Sequence, residues 1–239
     1  MDKQQVIFTD LGIIDYKSAW DYQERLLLHN VEIKTQARKA EQNQDPFSLP
    51  TTNHFILCEH STVYTLGKSG NIANVLLTNE EMLSKGIDFF RTNRGGDITF
   101  HGPGQIVGYP IMDLEKFKTD IGVYLRNVEE VIIRTVAEFG IVGERSKGET
   151  GVWIESEVPG KERKICAIGV RCSRWITMHG FALNVNTNLD YFNNIIPCGI
   201  VNKQVTSLEK ELGKTIEMAE VKAKIKNNFE QVFEVNLNV

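Results

Sequence analysis

The chain has 239 residues, 24% of them charged and 41% hydrophobic, which is enough to bury a substantial core without disulfide or metal staples. Its formal net charge of −4 argues against general nucleic-acid binding, which needs a strongly basic face to meet phosphates. The four cysteines, at positions 58, 166, 172 and 198, form no Cys-x-x-Cys pair and no regular framework, so reduced thiols are expected rather than disulfides or a metal site. No apolar run approaches the roughly 20 residues of a membrane span and the N-terminus is polar, which predicts a cytoplasmic protein with no membrane association.

In chain order, Val6 to Phe8 reads as a short strand, and Asp15 to about Glu41 as a long helix of good helix formers. Asp45-Pro46 and Leu49-Pro50 punctuate a polar loop, after which His54 to Cys58 and Thr62 to Leu66 are β-branched and aromatic enough to be strands. Gly67 and Gly70 open a turn. Thr78-Asn-Glu-Glu81 is a capping-box pattern for a short helix closed by Gly86, and Asp88 to Thr92 leads as a strand into a glycine loop at Arg94. Ile98 to His101 and Gln105 to Met112 flank the turn Gly102-Pro103-Gly104. Val128, Val131, Ile132, Val136 and Phe139 make one buried stripe on a helix from Asp120 to Phe139, stopped by Gly140. Gly151 to Ile154, Ile165 to Val170 and Phe181 to Val185 continue as strands. From Val205 the pattern is helical: Ser207 to Leu212, then a terminal helix burying Val221, Ile225, Phe229, Val232 and Phe233.

Strands flanked by several helices without strict βαβ alternation predict an α/β (α+β) fold, a mixed and largely antiparallel sheet with flanking helices. No linker or internal repeat interrupts it. We expect one catalytic domain over residues 1–239, with 205–239 as a helical extension.

Three loops carry the unusual chemistry. Arg94-Gly-Gly-Asp-Ile-Thr-Phe-His-Gly-Pro-Gly-Gln105 has four glycines, which let the backbone approach a ligand, and brings Arg94 and His101 together. His179-Gly-Phe-Ala-Leu-Asn184 sets a histidine beside Gly180. In Pro197-Cys-Gly199, proline and glycine leave the Cys198 thiol accessible. Cys198 is the candidate nucleophile, because a thiol is reactive as thiolate, and Lys164 in Lys164-Ile-Cys-Ala-Ile-Gly169 can supply the neighbouring charge that stabilises it. If the strand is regular, alternation puts Cys166 and Cys172 on the side to which Lys164 points. The segment from Glu144 to Arg174 is net positive in an acidic protein, a possible docking face for an acidic macromolecule through Lys161 and Arg163.

Arg94-Gly-Gly-x-x-Thr-x-His-Gly-Pro-Gly-Gln, Lys164-Ile-x-Ala-Ile-Gly, His179-Gly-x-Ala-Leu-Asn and Pro197-Cys-Gly-Ile, with His60 and Tyr64-Thr-Leu-Gly67 before them, together resemble the lipoyl (octanoyl) transferase family in order and spacing. The resemblance runs from about residue 54 to 210. It implies the biotin/lipoate protein ligase catalytic fold, with Cys198 as acyl-thioester nucleophile and Lys164 as the group that activates it. Arg94, Gly95, Gly96, Asp97, Ile98, Thr99, Phe100, His101, Ala167, Ile168, Gly169, Gly180, Phe181 and Ala182 would line the acyl chain. The implied donor is octanoyl-acyl carrier protein, and the implied acceptors are apo lipoyl domains of 2-oxoacid dehydrogenase complexes and the glycine cleavage H protein. No cofactor or metal is implied. An ATP-dependent ligase of the same fold would not need Cys198, and a cysteine hydrolase would recruit His101 or His179 as a base. The chain departs from the family pattern at Ser61-Thr62, where proline is usual near Val63, and in its long 155–163 hairpin.

Overall fold

The computed structural model describes residues 3–47, 49–196 and 204–238. β1 (Gln4–Ile14) leads into α1 (Tyr16–Asn43), which starts where the Asp15 carboxylate accepts the Ser18 amide, and β2 (Asn53–His60) and β3 (Val63–Leu66) follow. Thr78 and Glu81 form the expected capping box of α2 (Asn79–Ser84), ahead of β4 (Asp88–Arg91), β5 (Ile98–His101) and β6 (Gln105–Ile111). Asp120 caps α3 (Ile121–Ala137) through the amides of Gly122 and Val123. Next come β7 (Glu144–Ser146), β8 (Glu149–Ile154), β9 (Arg163–Ser173), β10 (Ile176–Asn184), β11 (Gln204–Val205), α4 (Leu208–Leu212), α5 (Met218–Phe233) and β12 (Val235–Asn238).

Among the described residues the main sheet has nine strands, in the order β12-β1-β2-β6-β10-β9-β8-β7 with β11 added to β9, and a smaller sheet runs β4-β3-β5. The pairs β1/β12, β1/β2, β9/β11 and β3/β4 are parallel and the rest antiparallel, so the sheet is mixed and largely antiparallel. Strand alternation divides the core. In β2, Phe55 and Leu57 face α3 and α5, where the Phe55 ring stacks on Phe229 at 4.0 Å, while Ile56 and Cys58 face α1. Each large side chain buried this way contributes about 1.5–3 kcal/mol.

Three sequence expectations change. The tail is not wholly helical: after α5, residues Val235 to Asn238 form β12 and close the sheet beside β1. β1 is far longer than the three residues read from periodicity, because its alternation is interrupted by a register shift between Asp10 and Ile13. His179 lies within β10 rather than in a loop, with φ of +59°, a conformation its partners described below hold in place.

Candidate active site

A cavity of about 500 Å³ lies on the α1 face of the main sheet, between β9 and β10 on one side and the 94–101 segment on the other. Of the expected lining, Arg94, Gly95, Gly96, Asp97, Ile98, Thr99, His101, Ala167, Ile168, Gly169, Gly180, Phe181 and Ala182 border it. Phe100 does not. Alternation in β5 turns its ring the other way, into the satellite core, where it stacks on Tyr191 at 4.7 Å.

The glycines serve backbone approach more than substrate room. Gly95 donates its amide to the Val170 carbonyl at 2.9 Å, tying the loop down onto β9, and a Cβ at Gly169 would stand 2.8 Å from the Gly95 carbonyl oxygen. At Gly180 a Cβ would meet the Gly108 carbonyl oxygen at 2.1 Å and Pro110 Cδ at 2.8 Å. Neither backbone can yield locally, so Gly180→Ala is expected to destabilise the fold by about 3 kcal/mol; a urea midpoint equal to that of the wild type would contradict this packing account. Arg94 is buried and clasps the loop: its guanidinium donates to Thr65 Oγ1 at 2.9 Å, to the Asp97 carbonyl at 2.8 Å and to the Gly95 carbonyl at 3.0 Å. The Asp97 carboxylate accepts from the amides of Ile98 and Asn71.

Lys164 stands at the opposite end from the Gly95–Val170 tie. Its Nζ lies 4.5 Å from the centroid of the Trp153 ring and 3.9 Å from Glu149 Oε2. The expected alignment of Lys164 with Cys166 and Cys172 fails, because the β8/β9 register shifts between Val152 and Trp153: Val152 pairs with Cys166 but Trp153 with Lys164. One extra residue on β9 thus turns Ile165 and Cys166 together into the α3 core and leaves Lys164 at the cavity. Burial pushes the Cys166 thiol up, so it is inert. Cys198 lies outside the described residues. Much of the basic segment is committed internally: Arg163 pairs with Glu211 at 2.6 Å and with Glu155, and Arg145 with Glu129 and Glu130, so Arg163 is a tie between β9 and α4 rather than a docking charge. Lys161 remains exposed.

Three histidines meet at the far end. His60 Nε2 lies 2.7 Å from the Tyr109 hydroxyl and its Nδ1 2.9 Å from the Ile14 carbonyl. His101 Nδ1 lies 2.8 Å from Gln105 Oε1, and its ring stacks on Tyr16. His179 Nε2 lies 2.7 Å from Asn93 Oδ1. Burial is the main reason that all three titrate low, His60 at about 4, His179 at about 3 and His101 well below its usual value, with the Arg94 charge adding to it at His101 and His179. The rings are therefore neutral at neutral pH. Between about pH 6.5 and pH 3 the unfolded chain binds protons that the folded chain refuses, so the stability contributed by this cluster is complete above that window and lost on acidification. By about pH 5 the loss is about 2 kcal/mol for each of His60 and His179. Urea midpoints should fall accordingly between about pH 7.5 and pH 5; a flat profile would refute it. No local motif marks Tyr16, Tyr109, Glu149 and Trp153, because each owes its place to packing between elements distant in the sequence.

The lipoyl protein ligase A/B catalytic domain family matches residues 15–230. The chain belongs to this family. Within it, the octanoyltransferase of Flavobacterium psychrophilum is 58% identical over 226 residues, covering 94% of this chain and 95% of that relative. The octanoyltransferase of Christiangramia forsetii is 53% identical over 235 residues, covering 98% of each. At that identity and coverage this lipoyl protein ligase A/B family member is an enzyme of the acyltransferase class. Among solved structures, the bi-partite lipoate protein ligase of Thermoplasma acidophilum gives a TM-score of 0.69 at 14% identity, over 98% of this chain and 86% of that one. A lipoate-protein ligase A bound with ATP gives 0.66 at 14% identity, over 100% and 88%. These two likenesses establish the shared fold.

Proposed function

We propose that the enzyme moves an octanoyl group from octanoyl-acyl carrier protein to a specific lysine of apo lipoyl domains, those of 2-oxoacid dehydrogenase complexes and the glycine cleavage H protein, through a thioester on Cys198. The observation that carries this reading is the setting of Lys164 at one end of a largely apolar cavity, with Val205, on one flank of the 197–203 segment, paired to it. On one side the Ile196 amide donates to the Asn74 carbonyl at 2.8 Å, and the Asn74 side chain bonds Asp97 on the cavity wall. On the other side Gln204 and Val205 pair with Arg163 and Lys164. Cys198 follows Ile196 by two residues in the sequence.

The Cys198 thiolate attacks the thioester carbonyl, and backbone amides near Gly199 or in the glycine loop meet the oxyanion. As the carbon–sulfur bond to the carrier breaks, the Lys164 ammonium gives its proton to the departing thiolate. The neutral Lys164 amine then takes a proton from the acceptor lysine as that amine attacks the octanoyl-Cys198 thioester. The amide forms, Cys198 leaves as thiolate, and both groups return to their starting states. The thioester is already activated, so ATP has no step. The internal commitments of Arg94 support this over the ligase alternative, which would aim a guanidinium at an acyl-adenylate phosphate.

The test is mass spectrometry after mixing the enzyme with octanoyl-acyl carrier protein without ATP. An octanoyl adduct on the Cys198 peptide, discharged by apo lipoyl domain, is expected. Transfer that appears only from free octanoate plus ATP, with Cys198 unmodified, would establish the ligase instead. Cytoplasmic placement belongs to the same proposal; no helix among the described residues is long and apolar enough to cross a membrane.

A further inference from the structure

We propose that Asn184 is a positioning residue of the transfer reaction: its side-chain amide, aligned by a one-way chain of hydrogen bonds that starts at the Arg94 guanidinium, holds the Thr206 carbonyl and keeps the return of the Cys198 segment in register beside Lys164. This rests on the octanoyl-transfer reading above and adds to it a side chain of β10 that fixes that segment.

The direction of each bond follows from two backbone carbonyls, which only accept, and from a guanidinium, which only donates. Asn184 must turn its Nδ2 to the Thr206 carbonyl, at 2.9 Å, so its Oδ1 accepts from Gln105 Nε2 at 2.9 Å. Gln105 Nε2 also donates to the Phe100 carbonyl at 3.1 Å, which leaves its Oε1 to accept from His101 Nδ1 at 2.8 Å. His101 Nε2 is then the acceptor for the Thr65 hydroxyl at 3.3 Å, whose oxygen in turn accepts from Arg94. All five side chains are buried. In such an interior each bond polarises the next, so a cation at the head strengthens donation at the tail.

The tail of the chain falls where the 197–203 segment rejoins the sheet. The Thr206 amide donates to the Lys164 carbonyl at 3.0 Å, and Val205 before it pairs with Lys164. With only two residues, however, β11 is too short a ladder to hold a register by itself. The Asn184 bond is a second tie, made to β10 instead of β9. Arg94, His101, Gln105 and Asn184 border the cavity together with Lys164, so the chain runs along the wall of the site.

The experiment mixes saturating octanoyl-acyl carrier protein with the wild type, Asn184→Asp and Asn184→Ala, and follows the Cys198 adduct by rapid-quench mass spectrometry from about pH 6 to about pH 8.5. The amplitude of the burst counts folded enzyme, whereas its rate constant reports how the folded enzyme is arranged. Aspartate keeps the shape of asparagine: protonated, it donates to Thr206 as the amide does, but ionised it sets an acceptor against that carbonyl. Burial, and the Glu211 carboxylate that accepts the Thr206 hydroxyl, favour the protonated form at the acid end of this range. His101, the titratable group on the other side of Gln105, stays neutral throughout. Relative to the wild type at each pH, the Asn184→Asp rate constant should therefore be nearly equal at about pH 6 and about tenfold lower at about pH 8.5, with the amplitude unchanged. Asn184→Ala, which adds no charge and serves alone if the aspartate variant does not fold, should be about tenfold slower at every pH. Wild-type rate constants with only the amplitude or the melting temperature reduced would mean a structural tie and overturn the inference, as would an aspartate variant equally slow at both ends of the range. If the wild type forms no Cys198 adduct, the octanoyl-transfer reading itself fails; an adduct formed at one rate by all three proteins removes the inference alone.

Discussion

Cys198→Ser should lower octanoyl transfer by about a thousandfold or more and should eliminate the thioester adduct. A serine hydroxyl is un-ionised at neutral pH, and it becomes a nucleophile only beside a base. The buried histidines of the cavity do not supply one: His101 and His60 are hydrogen-bonded through both ring nitrogens, His179 is held at Asn93, and burial keeps all three poor proton acceptors. The same facts weigh against a cysteine hydrolase using His101 or His179. The decisive measurement is transfer rate and adduct mass for the serine variant beside the wild type. Near wild-type transfer would remove the covalent route, whatever the wild-type thiol reacts with.

Lys164→Met should slow both half-reactions, formation of the octanoyl enzyme and its discharge, by about a hundredfold or more each. Methionine keeps an unbranched stem against Trp153 and so preserves packing while removing the ammonium. The stem matters, because Lys164 also pairs through its backbone with Val205 at the return of the Cys198 segment. Following acylation and discharge separately by rapid-quench mass spectrometry makes the test specific. If acylation slows while discharge keeps its rate, the lysine serves only to support the thiolate and does not return the proton from the acceptor amine. If neither slows and only the melting temperature falls, its role is structural.

Local signals in the chain were good guides to elements. Thr78 with Glu81 caps the helix it predicted, since a capping box is written in four adjacent residues, and the helices read from helix formers and from an apolar stripe do start after Asp15 and Asp120. Glycine-rich strings likewise marked the loop that covers the cavity. What escaped were features set by pairing at long range. The extra residue at Ile165 is invisible until β8 defines the register, and it alone decides that Cys166 enters the core while Lys164 does not. The orientation of Phe100 needed the satellite sheet, and the reason for Gly180 needed the carbonyl of Gly108, four strands earlier in the chain. The four residues of β12 are too short and too polar to declare themselves, and they become a strand only because β1 offers them an edge.

That edge has a bearing on how the chain is made. β1 stands between β2 and β12, so Gln4 meets Val235 and the first strand of the sheet has its outer neighbour supplied by the last. During synthesis the outer rim of β1 must wait, unpaired, until β12 has left the ribosome, and contacts of such sequence separation are slow to form. A nascent chain stopped at Glu234 would expose a long bare rim, an invitation to pair with another copy. In the finished molecule the new rim is guarded in turn: the Glu230 carboxylate takes the Leu237 amide at 2.8 Å, so that outward-facing donor is no longer on offer to a passing strand.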